Sequence, residues 1–283
     1  MAMQHTLPQF YLKSFLTNGW VYRKGAAGPR RARNPRGTAA QHDYYGADKS
    51  VDAFNLLVEN EGAPAMRKLL QEPENVTEAD IVRFSYLLAN LYSRSRAAIE
   101  DLRTMELHWT RQVNEVARVT GRKGFHFVSR ELNEESSATL EQINDYATRL
   151  TASNGHHLAA RDSFLANPDV AECIREMSFL IIEASPKLFF VTSDRPLLLR
   201  SRFSSSLVDV GWKKRDAVGC IALSPDRFLQ VFYDKEPCIY QRTAEPNEVP
   251  SINRQTIMTA DLEIYSKFEC DEAAEWMTGR MRP

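Results

Sequence analysis

Residues 179–199 read FLIIEASPKLFFVTSDRPLLL. This stretch decides the fold class, because it divides into short apolar runs separated by turn residues. Phe179–Ala184, Leu188–Thr192 and Leu197–Leu199 are predicted strands, and Pro186-Lys187 supplies a turn between the first two. The same pattern continues towards the C-terminus in four further predicted strands: Val218–Leu223, Phe228–Phe232, Cys238–Tyr240 and Leu262–Tyr265. Consecutive strands joined by short turns favour an antiparallel meander.

The chain ahead of this stretch has a helical pattern. From Val51 onward, apolar residues recur at helical spacing, with an interruption predicted around Gly62 and Pro64. Thr77 is the predicted N-cap of a long helix or helix pair that ends at Gly121.

Shorter helical segments follow that long helical stretch. The polar span 122–135 is a predicted loop, and the next helix covers about 140–150 and ends near Gly155. Pro168 opens a short helix that runs to about Glu176. A last helix is predicted over Glu272–Met277.

The N-terminal region is predicted to be a hairpin followed by a basic loop. Phe10–Leu12 and Trp20–Tyr22 are aromatic, strand-like runs, and Asn18-Gly19 between them is a strong hairpin-turn signal. The stretch 23–36 is rich in arginine, glycine and proline, and no Asp or Glu precedes Asp43.

Strands at both ends of the chain and helices in the middle indicate the α+β class. We expect a central helical block packed on a mostly antiparallel sheet made from N-terminal and C-terminal strands. The expected organisation is a single domain over 1–283, with the hairpin and basic loop in 1–50, the helical block in 51–176 and the C-terminal sheet in 177–283.

Composition narrows the function classes. The chain has 283 residues, 43% of them hydrophobic, and a net charge of -1, which gives no reason to expect a general polyanion binder. None of the four cysteines forms a C-x-x-C pair, so free thiols in a reducing compartment are expected rather than a zinc site. The apolar runs are too short to span a bilayer and no signal peptide is recognisable. We therefore predict a cytoplasmic protein without a membrane partner.

Several motifs resemble those of a bacterial family known as domain of unknown function 4238. The opening HTLPQFYLKSF over 5–15 is similar to the family's H-x-x-P-x-x-Y-L-x-x-F start, and FVTSDRP over 190–196 is similar to its F-I-T-S-D-N-P block. Shorter matches follow the same order along nearly the whole chain: Trp20–Tyr22, Asp43–Tyr45, Glu59–Glu61, Leu223–Pro225 and Ile252-Asn253. Arg195 stands where the family usually has asparagine. The family carries no established activity, so the resemblance implies kinship and leaves the mechanism open.

Three residues are candidates for catalysis or metal binding: His5, Glu61 and Asp194. An imidazole and two carboxylates, if they converge, suit Mg²⁺ or Mn²⁺ and the hydrolysis of phosphodiesters or phosphoanhydrides. Each has a structural alternative. His5 could hydrogen-bond a backbone carbonyl, Asp194 could cap an Asx turn, and Glu61 could lie on a solvated helix face.

Further polar residues are candidates for substrate or partner binding, and these are Gln9, Tyr11, Lys13, Tyr45, Asn253, Arg30, Arg31 and Arg33. The arginines would contact phosphate groups, or would belong to a solvated loop. For Asn253, pinning a loop is the favoured interpretation over orienting a substrate.

Two functional hypotheses follow. The first is a metal-assisted hydrolase, a nuclease or nucleotide hydrolase with Mg or Mn, acting as a toxin or phage-defence effector. The second is a non-catalytic module that binds nucleic acid or a partner protein through the basic loop and the aromatic residues Trp20, Tyr22, Tyr44 and Tyr45. No P-loop, G-x-G-x-x-G or H-E-x-x-H motif is present.

Overall fold

A computed structural model describes residues 3–25, 31–42, 44–45, 49–129, 134–203 and 211–267. Within these residues the α-helices are α1 (Gln9–Lys13), α2 (Lys49–Gln71), α3 (Glu78–Ser93), α4 (Arg96–Thr120), α5 (Leu140–Thr151), α6 (Gly155–Leu165), α7 (Asn167–Arg175) and α8 (Glu248–Thr259). The strands are β1 (Met3–His5), β2 (Val21–Gly25), β3 (Arg31–Arg33), β4 (Ala40–His42), β5 (Gly124–Ser129), β6 (Glu134–Thr139), β7 (Ser178–Glu183), β8 (Thr192–Ser193), β9 (Leu197–Ser201), β10 (Ala217–Ser224), β11 (Arg227–Phe232), β12 (Ile239–Thr243) and β13 (Glu263–Ser266).

The α+β class is confirmed: helices fill the middle of the chain, and antiparallel sheets are built from strands near both ends. A five-stranded sheet has the order β12-β7-β11-β10-β9 and is antiparallel except for the parallel pair of β12 and β7. A four-stranded sheet of order β3-β2-β13-β8 joins the N-terminal strands to the C-terminal ones. The N-terminal strands β2 and β3 therefore share a sheet with the C-terminal strands β13 and β8, whereas β1 and β4 pair only with each other.

Helices α2 and α3 form an antiparallel pair whose ends follow the local sequence. Thr77 caps α3 as predicted, in a capping box with Asp80. The interruption predicted near Gly62 is wrong, because α2 continues through Pro64. Pro64 is exposed, so water can satisfy the carbonyl that loses its helical donor. Gly62 brings the helices close: a β-carbon there would lie 2.6 Å from the Cβ atom of Leu87.

Helix α4 begins after the N-cap Ser95 and ends at Gly121, whose φ of 69° suits the predicted glycine stop. The loop predicted over 122–135 is wrong where the structure describes it, because β5 and β6 form a hairpin there. The helix predicted to end near Gly155 ends at Thr151, and Gly155 begins α6.

Two predicted strands are corrected. Phe10–Leu12 lies in α1, and Tyr11 in the helix is buried together with Leu7 before it and Phe15 after it, at intervals of four residues. Of the predicted strand Leu188–Thr192, only Thr192 belongs to a strand, β8. The Asn18-Gly19 turn is present, with φ values of 51° and 81°, and closes a single bridge between Thr17 and Trp20.

The largest hydrophobic cluster draws on the three segments predicted from the sequence, from Leu7 to Tyr265. A smaller cluster beneath α4 and α6 includes Tyr44, Tyr45 and Leu150. The single-domain organisation stays a prediction, and the helix predicted over Glu272–Met277 lies outside the described residues. Cys173, Cys220 and Cys238 are free thiols. In the described part of the chain, none of the helices is both long and apolar enough to cross a lipid bilayer.

Candidate functional site

A polar cavity of about 210 Å³ opens where the four-stranded sheet meets the start of α4. The lining comes from β2 and β13, from the residues directly after β1 and β8, from the segment before β4 and from the first residue of α4. The lining residues are Thr6, Arg23, Gly37, Ala39, Arg96, Asp194, Leu262, Glu263 and Tyr265.

Asp194 is the buried acid of this cavity. Its backbone N–H donates to the Glu263 carbonyl at 3.0 Å. Its carboxylate accepts the backbone N–H of Asp261 on Oδ1 at 3.0 Å and that of Leu262 on Oδ2 at 2.7 Å. The side chain thus pins the turn that precedes β13, and it lines the cavity at the same time.

The surroundings of Asp194 favour the protonated form of its carboxyl group. Burial raises the pKa of Asp194 from 3.8 to about 6, although the hydrogen bonds from Leu262 and Asp261 act in the opposite direction. A carboxyl group with a pKa near 6 exchanges protons close to neutral pH, which is the property required of a general acid or base.

The hydroxyl groups next to Asp194 have structural partners. Thr192 hydrogen-bonds the hydroxyl of Tyr11 at 2.7 Å, and Tyr11 donates to the carbonyl of Ala222 at 2.6 Å. Ser193 accepts the backbone N–H of Arg195 at 3.2 Å within the bend. Tyr11, a predicted binding residue, is fully buried, and its hydroxyl links α1, β8 and β10 through these hydrogen bonds.

Two arginines give the cavity positive charge. Arg23 pairs with Glu263, and the same carboxylate accepts the Tyr265 hydroxyl. The Nε atom of Arg23 is buried and has no hydrogen-bond partner among the described residues. Arg96 is exposed and forms no salt bridge with a described residue, and it is the first residue of α4, where the helix dipole is positive. Arg96 therefore offers positive charge to an anion, whereas Glu263 balances the charge of Arg23 and leaves its Nε–H as a donor.

His5 lies beside the cavity rather than in its lining. Its ring Nε2 is 2.9 Å from Nε2 of Gln9. Burial lowers the pKa of His5, so a neutral ring accepts the Gln9 amide proton. Thr6, the next residue along the chain, lines the cavity. Gln9, predicted to bind substrate, thus orients His5.

The backbone of His5 is held by a buried polar network between α2 and α3. The His5 carbonyl accepts hydrogen bonds from the Arg94 guanidinium and the Tyr45 hydroxyl. Arg94 is buried and pairs with Glu59 at 2.6 Å. Tyr45 is buried as well, so it ties β1 to α3 and offers no exposed aromatic face; Tyr44 is also buried.

Glu61 does not join this site. Its carboxylate lies 3.1 Å from Arg83, and both side chains are about half exposed. Glu59, two positions earlier on α2, is the glutamate that faces inward. Over the residues that the structure describes, no group of three or more His, Cys, Asp or Glu side chains could hold a metal ion. His5, Glu61 and Asp194 therefore do not form a shared set of metal ligands.

The other predicted binding residues are dispersed. Asn253 on α8 accepts the N–H of Val191 at 3.0 Å and donates to the carbonyl of Phe189 at 2.8 Å, so it pins the strand that leads to Asp194, as the sequence favoured. Lys13 is exposed at the end of α1. Arg31 and Arg33 lie in β3 opposite Arg23 and Val21, and Arg30 lies outside the described residues.

Sequence reasoning missed the inward role of Glu59 although a signal was present. Asn55 and Glu59 are four residues apart on α2, and they meet Asn90 and Arg94, four residues apart on α3. Polar residues at that spacing among apolar ones indicate a buried polar seam. Arg96 carried a weaker signal, since it directly follows the N-cap Ser95.

Comparisons with known proteins add a family and no activity. A family model described as "Protein of unknown function (DUF4238)" matches residues 3–269. Neither the curated proteins nor the solved structures gave a match.

Proposed function

Because the chain belongs to the DUF4238 family, whose function is unknown, we propose from the cavity's chemistry that the protein is a hydrolase of phosphate esters or anhydrides in which Asp194 transfers the proton. One observation supports this proposal. A buried carboxyl group with a pKa of about 6 lines the same cavity as Arg23 and Arg96.

The residues divide the chemistry between them. Ionised Asp194 takes a proton from a water molecule as the water oxygen bonds to phosphorus. The bond from phosphorus to the leaving oxygen breaks, and the proton passes from Asp194 to that oxygen. Arg96 and the orphan Nε of Arg23 hold the non-bridging oxygens, whose charge the guanidinium groups stabilise.

The size of the cavity restricts the substrate. At about 210 Å³ it lies below the range of about 300–1,000 Å³ that is usual for drug-sized ligands. A phosphate group with part of its sugar fits this space better than a whole nucleotide does. The proposed substrates are therefore nucleotides, or the ends of nucleic-acid strands, that insert one phosphate.

The proposal does not include the metal site predicted from His5, Glu61 and Asp194, because His5 and Glu61 do not line the cavity that contains Asp194. Mg²⁺ often enters such sites with the substrate's own phosphates, so Mg²⁺ and Mn²⁺ remain variables of the assay. We place the reaction in the cytoplasm, where free thiols stay reduced. A role in defence or toxicity would follow from activity on nucleic acid.

The test is a hydrolysis screen at pH 7.5. Wild type, Asp194→Asn, Arg96→Gln and the control Asp145→Asn are incubated with nucleoside mono- and triphosphates, NAD, and single- and double-stranded DNA and RNA. Each reaction is run with Mg²⁺, with Mn²⁺ and with a chelator. Asp145 is an exposed aspartate on α5, so its substitution makes the same chemical change outside the cavity.

We expect turnover by the wild type and by Asp145→Asn, with a loss of about 100-fold or more in Asp194→Asn. The Arg96→Gln variant should mainly raise KM. For a general base, kcat/KM should rise with pH through about 6, the pKa of Asp194. Equal turnover by wild type and folded Asp194→Asn would refute the assignment, and so would the absence of turnover on every substrate.

A second candidate function, a non-catalytic nucleic-acid-binding module, is supported by one observation. Trp20 is 50% exposed and precedes β2, whose neighbour β3 carries Arg31 and Arg33. Exposed aromatics beside basic strands can stack on bases. Salt-dependent binding of single-stranded nucleic acid that Trp20→Ala weakens and Asp194→Asn retains, without turnover, would favour this module over the hydrolase.

A further inference from the structure

A tyrosine hydroxyl lies between two carboxyl groups where α4, α5 and α6 pack against one another. Tyr146 on α5 donates its hydroxyl proton to Oδ2 of Asp162 on α6 at 2.9 Å. Glu106 on α4 hydrogen-bonds the same hydroxyl. Each of these helices contacts the other two, so this polar group joins all three at one point.

The number of protons restricts what this group can form. A phenol has one proton to donate, and Tyr146 donates it to Asp162. The hydroxyl oxygen can then only accept a hydrogen bond. An ionised Glu106 has no proton to give, whereas a protonated Glu106 completes the chain by donating to the Tyr146 oxygen. The arrangement therefore needs one proton more than a phenol and two ionised carboxylates contain.

The contacts of the two carboxyl groups indicate which of them holds that proton. Asp162 has two donors, since its Oδ2 accepts from Tyr146 and its Oδ1 lies 3.3 Å from Arg161. For Glu106, the titratable groups that face it from the described residues are Tyr146 and Asp162, and neither is a cation. Its Oε2 atom is buried and has no hydrogen-bond partner in the described part of the chain. The proton therefore belongs on Glu106.

The charge balance supports the same assignment. Burial raises the pKa of Glu106 above its ordinary value of 4.5 and outweighs the hydrogen bond from Tyr146, while the charge of Asp162 adds to the rise. Burial and the two carboxyl groups raise the pKa of Tyr146, so the phenol keeps its own proton. Arg103, one turn before Glu106 on α4, donates instead to the Leu150 carbonyl at 2.8 Å.

We infer that Glu106 is protonated in the folded protein and donates a hydrogen bond to the Tyr146 oxygen, and that loss of this proton at higher pH loosens the packing of α4 against α5 and α6. Once Glu106 is ionised, its carboxylate faces the oxygen of Tyr146 and the charge of Asp162. The stability that this proton contributes is full below 4.5, the ordinary pKa of the glutamate, and is lost as the pH rises through the raised pKa of the folded state. The inference is independent of the proposed hydrolase, because none of these three residues lines the cavity.

The test is hydrogen exchange of the backbone amides of α5 and α6 in the intact chain, from about pH 4 to 8 and corrected for the intrinsic exchange rate at each pH. The measured quantity is the exchange rate of the wild type divided by that of Glu106→Gln. The glutamine cannot ionise, and its amide still donates to the Tyr146 oxygen. We expect this ratio to rise with pH, by up to about tenfold for each unit by which the folded-state pKa exceeds 4.5. Contributions of other titrating groups, Asp194 among them, cancel in the ratio.

Two further variants make the test specific. Glu115→Gln, the same change at an exposed position of α4, is the matched control, and the ratio of wild type to this variant should not rise with pH. Asp162→Asn presents an amide donor to the Tyr146 oxygen, which leaves the phenol proton free for an ionised Glu106, so the pH dependence should shrink. Circular dichroism checks that each variant is folded.

The outcomes separate the parts of the inference. A ratio of wild type to Glu106→Gln that stays flat or falls with pH would overturn it, because Glu106 would then be ionised throughout. An Asp162→Asn variant whose exchange rises with pH as steeply as that of the wild type would overturn the role of the shared hydroxyl.

Discussion

Asp194 should make the stability of this protein fall as the pH rises across the mildly acidic range. Burial raises its pKa from 3.8 to about 6 in the folded state. In the unfolded chain the carboxyl group titrates near its ordinary value. Between these two pKa values the folded state binds a proton that the unfolded state lacks, so the free energy of unfolding is highest below about pH 4 and decreases through about pH 6.

The magnitude follows from the size of the shift. Each pKa unit corresponds to 1.36 kcal/mol, so a rise from 3.8 to about 6 contributes about 3 kcal/mol that is present at low pH and lost at neutral pH. This is a large share of the net stability of about 5–15 kcal/mol that is typical of a folded protein.

The perturbation that isolates this contribution is Asp194→Asn. An amide does not titrate, so the variant keeps a constant charge. Its oxygen can accept only one of the two backbone N–H groups of Asp261 and Leu262, and its own N–H₂ group faces the other. That mismatch costs about 1–3 kcal/mol at every pH, because it leaves a buried donor unpaired.

The assay is urea unfolding monitored by tryptophan fluorescence at several pH values from about 3.5 to 7.5. We expect the unfolding free energy of the wild type, minus that of Asp194→Asn, to decrease by about 3 kcal/mol over this range. Asp145→Asn is the control, for which the same difference should be nearly flat. A difference for Asp194→Asn that stays constant or grows with pH would mean that the two N–H groups keep the carboxylate ionised. It would also remove the acid–base role from the proposed hydrolase.

Three stability predictions concern the framework around the site. Tyr11→Phe should lower the unfolding free energy by about 1–3 kcal/mol, because the buried Thr192 hydroxyl and Ala222 carbonyl lose their hydrogen-bond partner. Tyr240→Phe, at an exposed tyrosine, is the control. An equal effect of the two substitutions would contradict the argument. Arg94→Met should cost about 3–5 kcal/mol in urea unfolding, since Glu59 loses its buried partner, and a cost below that of Arg118→Met on the surface would refute this. Gly62→Ala should lower the melting temperature. Overpacking against Leu87 costs about 1–3 kcal/mol of stability, which exceeds the gain of about 1 kcal/mol from the higher helix propensity of alanine. A raised melting temperature would show that α2 and α3 can separate freely.

Local sequence patterns were sufficient to predict the class of the fold and most of its elements. Thr77 and Gly121 mark helix ends by local chemistry, a hydroxyl that accepts a backbone N–H and a residue without a β-carbon. Strands such as Ala217–Ser224 are recognisable because they are apolar along their whole length and bounded by turns. Helix α8 was not predicted, because turn-forming residues surround Val249, Ile252 and Ile257, the apolar residues that it buries.

Elements with weak or contradictory local signals depend on tertiary contacts. The strand-like run Phe10–Leu12 is helical because that geometry buries Tyr11 and brings its hydroxyl to the carbonyl of Ala222. In the hairpin of β5 and β6, apolar alternation is limited to Phe125 and Phe127, and β6 (EESSAT) is almost entirely polar, so the pattern is too short to predict the pair. Pro64 stays inside α2 because its side of the helix is exposed, whereas Gly62 lies against α3.

The candidate site also combines features that the sequence predicts with features that depend on tertiary contacts. Asp194 could be selected from the sequence as a candidate, because it is a carboxylate between a strand and a proline bend, with the capping of a turn as its structural alternative. The raised pKa of Asp194 could not be predicted from the sequence, because it depends on burial beneath the turn at Asp261 and Leu262, which are distant in the chain. The choice between Glu59 and Glu61 was likewise tertiary: only the rotation of α2 against α3 puts Glu59 on Arg94 and leaves Glu61 in solvent with Arg83.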